Sequence, residues 1–156
     1  MKVLIGFDHR GIDVAEHLAS HLADAGCECL LVGSARGTVC DYPGIALEAG
    51  KRVVDGEADF GVLIDASGIG MAIAANKVKG VRAAMVHDEM TAQIARSHLD
   101  ANVLCVSADL TSLATLERML TLFMKTEFEG GRHARRIEKI AAIEAGEVPT
   151  SEAGQD

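Results

Sequence analysis

The sequence predicts an α/β fold in which five parallel strands form one sheet wrapped by helices. Three observations carry that expectation. Five short apolar runs recur along the chain without polar alternation, the pattern of strands buried on both faces. A stretch with helical spacing separates each run from the next. Most of the runs stop abruptly at charged, polar or glycine residues, and in such sheets ligands collect at the carboxyl ends of the strands.

In chain order, Lys2–Phe7 is the first strand and ends at Asp8-His9-Arg10-Gly11. Val14, Leu18 and Leu22 recur every fourth residue along the first helix, which Ala25-Gly26 closes. The second strand is expected over 27–32; Cys27 and Cys29 share one face of it, as small core residues. A loop carrying Asp41-Tyr42-Pro43 leads into a helix that Pro43 helps start, lined by Ile45, Ala49 and Val53 and ending near Gly56. Gly61–Ile64 is the third strand, followed by a short helix through Lys77. A fourth strand is expected over 81–86, a helix over 88–98, a fifth strand over 101–106 and a helix over 111–125. Gly130-Gly131 then breaks the chain before a basic helix beginning at Arg132.

Composition bounds the function. The 156 residues are read as one domain over 1–146, with a flexible acidic tail over 147–156. A net charge of −8 and 3% aromatic residues argue against nucleic acid and anionic membranes. No apolar run is long enough to span a bilayer. The opening Met1–Phe7 run meets Asp8 too soon for a secretory signal, and the four cysteines lack paired spacing, so a reducing cytoplasm is expected.

The chain is organised around Gly61–Lys77, GVLIDASGIGMAIAANK. The buried strand stops at Asp65, turns through Ala66-Ser67-Gly68-Ile69-Gly70 and opens into a helix. Such a turn leaves backbone N–H groups unpaired at the positive end of a helix, where an oxyanion is stabilised. Asp65 is the only carboxylate in that turn and is the candidate base; the alternative for Asp65 and for Ser67 is capping of the helix. Asp8-His9 follows the first strand, so it falls on the same edge of the sheet. His87-Asp88 reads better as a helix cap than as a catalytic dyad. His17 and His21, four apart but without a third ligand, read as a solvated flank; no metal site is expected. Arg132, Arg135 and Arg136 suit a phosphate, set against the plainer reading of a solvated face. His98, at a helix end before the fifth strand, need not lie on the ligand edge of its own subunit.

GFDHRG, Asp41-Tyr42-Pro43, GIGMAIAANKVKGVRAA, His87-Asp88, DANVL and FEGGRHARR together resemble the B-type ribose-5-phosphate isomerase family, which includes the galactose-6-phosphate isomerase subunits. The resemblance runs from Met1 to about Ile140. It implies a Rossmann-like three-layer sandwich, a homodimer or homotetramer with shared active sites, and aldose–ketose isomerisation of a sugar phosphate through a cis-enediol without metal or cofactor. By that resemblance Asp8 and His9 bind sugar oxygens, and Ser67 and His98 assist ring opening, His98 from the neighbouring subunit. The amides around Gly68, Ile69 and Gly70, with Asn76, steady the enediolate, and Arg132 and Arg136 clamp the phosphate. Tyr42 and Arg10 complete the expected substrate-binding set.

The chain also departs from the family. Asp65 stands where a cysteine usually moves the proton, and Met71 where another branch has a glutamate. Leu99 replaces a common asparagine, Asp109 replaces an arginine that often grips the phosphate, and Arg10 replaces a small residue and stands as partial compensation. Two alternatives follow: an isomerase of another sugar (a tetrose phosphate, an unusual pentose phosphate or an unphosphorylated sugar), or a binding protein that has lost its base.

Overall fold

A computed structural model describes residues 1–152. The elements run β1 Lys2–Phe7, α1 Ile12–Asp24, β2 Glu28–Gly33, α2 Tyr42–Val54, β3 Phe60–Asp65, α3 Ile69–Ala75, β4 Ala83–Met85, α4 Glu89–Ser97, β5 Val103–Ser107, α5 Leu113–Lys125 and α6 Arg132–Glu144. The five strands are parallel in the order β2-β1-β3-β5-β4, so the α/β expectation holds.

Alternation along each strand divides the core between two faces. Val3, Ile5, Phe7, Val62, Ile64, Leu104 and Val106 point to the face covered by α1, α4 and α5. Leu4, Leu63, Val103 and Cys105 point to the face covered by α2 and α3. Leu4, Ile5, Leu63 and Leu104 have no exposed surface, and each such side chain stabilises the fold by about 1.5–3 kcal/mol. Cys27 and Cys29 pack at the margin of the first layer, as expected of small core residues.

Three expectations need adjustment. The fourth strand is three residues rather than six, because β4 is an edge strand and side chains replace part of its ladder. Asn76 Oδ1 accepts from Ala83 N–H at 2.9 Å, and Asn102 Oδ1 accepts from Arg82 N–H at 2.8 Å. The basic helix continues to Glu144, whose carboxylate accepts from Gly80 N–H at 3.0 Å and ties its far end to the turn before β4. His17 and His21 are only half solvated: His17 Nε2 lies 2.6 Å from Glu117 Oε1 on α5. Of the tail, residues 147–152 form neither helix nor strand; 153–156 lie outside the described residues.

Candidate active site

The chain leaves β1 for β2 on one side and returns to β3 on the other, so the strand order reverses between β1 and β3. The crevice at such a switch point is where ligands bind in open parallel sheets. An open cleft of about 420 Å³ lies there, lined by Asp8, Tyr42, Asp65, Ser67, Ile69 and Gly70 among others. Six of the expected site residues therefore meet in one place.

Asp65 organises the turn. It is 4% exposed, and its Oδ1 accepts from the Ser67 N–H at 2.8 Å and from the Gly68 N–H. Its Oδ2 accepts from the Met71 N–H at 3.0 Å. Ser67 Oγ accepts from Ile69 N–H at 3.2 Å. Three of the turn's amides are thus turned onto Asp65 and a fourth onto Ser67. Gly70 N–H, in the cleft lining, makes no hydrogen bond among the described residues. The expected row of oxyanion donors over Gly68–Gly70 is therefore reduced to one, because a carboxylate one bond longer than a thiol reaches back and fills the nest. Both side chains hold amides at the start of α3, whose N-cap residue is Gly68, and the Asp65 carboxylate, with about four lone-pair directions and three N–H donors, has one direction left in the cleft lining.

Neighbouring contacts hold this turn rigid. Ala108 N–H donates to Asp65 C=O at 2.8 Å, and Ser107 Oγ donates to Ala66 C=O at 2.6 Å. Ser107, which the sequence pattern alone does not single out, ends a buried strand as a polar residue, the same signal that Asp65 carries at the end of β3. Beneath the turn, burial and the Asp65 charge push the Cys105 thiol well above its usual range, so it remains a neutral core residue. Gly68 has φ +80°, and a Cβ there would lie 3.1 Å from the Val106 carbonyl carbon. Gly68→Ala is expected to lower the unfolding free energy by about 1–3 kcal/mol, read from the midpoint of a urea titration.

Asp8 is 5% exposed, and its Oδ1 accepts from Arg10 N–H at 2.8 Å and Gly11 N–H at 3.2 Å. Its Oδ2 has no partner among the described residues, which makes it the less encumbered of the two carboxylates. Tyr42 packs on Gly70, where a Cβ would approach the ring to 2.7 Å. His9 is exposed beside Asp8 and outside the cleft lining. Arg10 does not stand free for a phosphate: its guanidinium pairs with Asp109 at 2.7 Å. The two departures from the family pattern thus meet in one ion pair.

The remaining expected residues lie at the opposite end of the sheet. His98 caps the C-terminus of α4 and precedes β5, whereas Asp65 ends β3; the five residues of β5 separate the two ends by roughly 16 Å. Arg132 and Arg136 begin α6, and their charges act on His133, which stacks on His98. Asn76 is also at that end: its amide donates to Ala72 C=O and Ala83 C=O at 2.9 and 2.8 Å. In this chain Asn76 braces β4 and does not reach the Gly68–Gly70 turn. Asp88 is the cap of α4, with a reciprocal Thr91 pair, as the capping reading required.

A second open cleft of about 470 Å³ lies between α1, α4 and α5, lined by His21, Glu89, Glu117 and Arg118 among others. Arg118 pairs with Glu89 there and Glu117 with His17, so both carboxylates of the lining are taken up.

A parallel sandwich with two buried carboxylates and a glycine-rich turn at its switch point is an enzyme architecture for small polar substrates. The family model described as Ribose/Galactose Isomerase matches residues 3–140. Ribose-5-phosphate isomerase B of Escherichia coli (strain K12) is 36% identical over 143 residues, 92% of this chain and 96% of that protein. The structure of Clostridium thermocellum ribose-5-phosphate isomerase B matches with TM-score 0.92 and 38% identity, covering 94% of this chain and 99% of that one. Ribose-5-phosphate isomerase B from Mycoplasma genitalium with bound ribulose 5-phosphate matches with TM-score 0.86 and 38% identity, over 92% and 96% of the two chains. The chain belongs to the ribose/galactose isomerase family and is an aldose–ketose isomerase.

Proposed function

We propose that the protein interconverts ribose 5-phosphate and ribulose 5-phosphate, or a closely related sugar-phosphate pair, through a cis-enediol. One observation carries this reading: two buried carboxylates, a serine hydroxyl and an unpaired backbone N–H face one cleft at the switch point. Proton transfer between adjacent carbons needs a fixed base beside both, and a donor aimed at the oxygen that gains charge. Asp65, through its unspent lone pair, serves as the base; Gly70 N–H meets the enediolate oxygen; Asp8, His9 and Tyr42 bind the sugar. Ser67, with His98 supplied by a second chain, assists ring opening.

The separation of Asp65 from His98, Arg132 and Arg136 supports a homodimer with shared sites. A second chain that brings its lower edge to the cleft completes the catalytic set and adds the phosphate clamp. Ile69 and Ile73, 52% and 61% exposed beside the cleft, supply an apolar seat for it. Unpaired cysteines support work in the cytoplasm. Among the described residues no helix is long and apolar enough to cross a membrane.

Exchange of solvent deuterium into C2 of aldose phosphates and C1 of ketose phosphates tests the reaction across four-, five- and six-carbon substrates. Exchange with the five-carbon pair is the expected result; binding without exchange in any of them would show a retired enzyme. A second reading, in which the sugar is shorter or lacks the phosphate, is favoured by the Arg10–Asp109 pair. Asp109 offers no positive charge, and it occupies the Arg10 guanidinium. Higher kcat/KM with a tetrose phosphate or a free pentose would select that reading.

A further inference from the structure

We propose that His133 and Glu129 are positioning residues for His98: the stacked ring fixes the His98 imidazole plane, and the carboxylate fixes where its proton sits. The assignment rests on the isomerase reading, in which His98 assists ring opening.

His98 closes α4 with a side chain 37% exposed, and an imidazole so placed has freedom to swing. Its ring instead lies against the His133 ring, centroids 4.1 Å apart and planes within 11°. His133 is 6% exposed, so it forms a fixed platform. Glu129 N–H donates to Ser97 C=O at 3.0 Å, which ties the segment before α6 to the end of α4. Gly130 and Gly131, at φ +66° and +54°, then turn the chain so that α6 lays His133 over His98. The Glu129 carboxylate faces both rings, Oε1 3.9 Å from His98 Nε2 and Oε2 3.6 Å from His133 Nε2.

One carboxylate beside two stacked imidazoles accommodates one positive charge better than two. The charged groups around His133 are His98 on α4, Glu129 before α6, and Arg132 and Arg136 on its own helix. Burial, His98 and the two arginines hold His133 below the ordinary histidine range, and only Glu129 opposes them. A charge on His133 is therefore disfavoured, and its buried Nε2 makes no hydrogen bond, whereas His98 is the more exposed ring. Parallel rings direct their lone pairs alongside each other rather than toward a common point, so the cluster does not present a tetrahedral set of ligands to a cation.

The test compares His133→Ala, His133→Phe and Glu129→Gln on two substrates. Ribose 5-phosphate must open its ring, whereas deuterium exchange at C1 of acyclic ribulose 5-phosphate reads proton transfer alone. His133→Ala is expected to lower kcat for ribose 5-phosphate roughly tenfold, and His133→Phe, which keeps a flat ring over His98, to restore most of it. In Glu129→Gln the His98 titration midpoint, read by NMR, falls, because a neighbouring negative charge is removed. Activity that needs protonated His98 is lost as pH rises, so that limb of the profile moves to lower pH by the same amount. C1 exchange stays within about twofold in all three variants. Equal losses for Ala and Phe, exchange falling in step with turnover, or an unmoved His98 midpoint would overturn the assignment. Absence of C1 exchange in the unmutated protein would overturn the isomerase reading instead, while the His98 midpoint, which needs no substrate, still decides the positioning.

Discussion

Asp65→Asn is expected to lower kcat by roughly 10²–10⁴-fold while sugar-phosphate binding persists, because an amide cannot take the proton that isomerisation moves. The substitution also touches the turn. Asn Oδ1 still accepts from the Ser67 and Gly68 N–H groups, but its NH₂ faces the Met71 N–H, donor against donor. A loss of about 1–3 kcal/mol in stability accompanies the change and is measured separately by thermal unfolding. Deuterium exchange then separates chemistry from folding: a folded variant that binds but does not exchange places the base at Asp65. Retained exchange would move the role to Asp8, whose Oδ2 is unencumbered, and Asp8→Asn would then abolish it.

Mixing two inactive variants should restore activity. If each site takes Asp65 from one chain and His98 from another, a dimer of Asp65→Asn with His98→Ala carries one doubly altered site and one intact site. Random reassociation of equal amounts makes half the dimers mixed, so the mixture reaches about a quarter of unmutated activity. If both residues served the same site within one chain, every site in the mixture would carry a substitution and no activity would return. The roughly 16 Å that β5 places between the two ends of the sheet is the reason to expect the first result. Subunit exchange at low protein concentration, followed by an assay at constant total chain, measures it.

Much of the site was legible because a buried strand announces its own end. Asp8 and Asp65 are the first carboxylates after apolar runs, and in the structure both line the cleft. Ser67 and Gly70 follow from the same turn. The partners these groups choose were not legible. Asp65 reaches six residues forward to Met71, Arg10 crosses 99 residues to Asp109, and His98 lies against a ring 35 positions away. No periodicity reports such meetings. Asn76 shows the same limit, since its neighbours Gly68–Gly70 in the sequence are not its neighbours in space: Ala83 on the sheet edge holds its amide.

By itself the sequence determined the elements, the faces they bury and the end of the sheet on which Asp8, Asp65 and Ser67 fall. Those properties come from repeats of two and 3.6 residues and from where the repeats stop, and they are local. Tertiary structure alone decided the order β2-β1-β3-β5-β4, the shortened edge strand, the ion pair of Arg10 with Asp109 and the histidine stack. It also gave the separation of Asp65 from His98 its size, because β3 and β5 run the same way and a residue ending one strand lies a full strand length from a residue before the other.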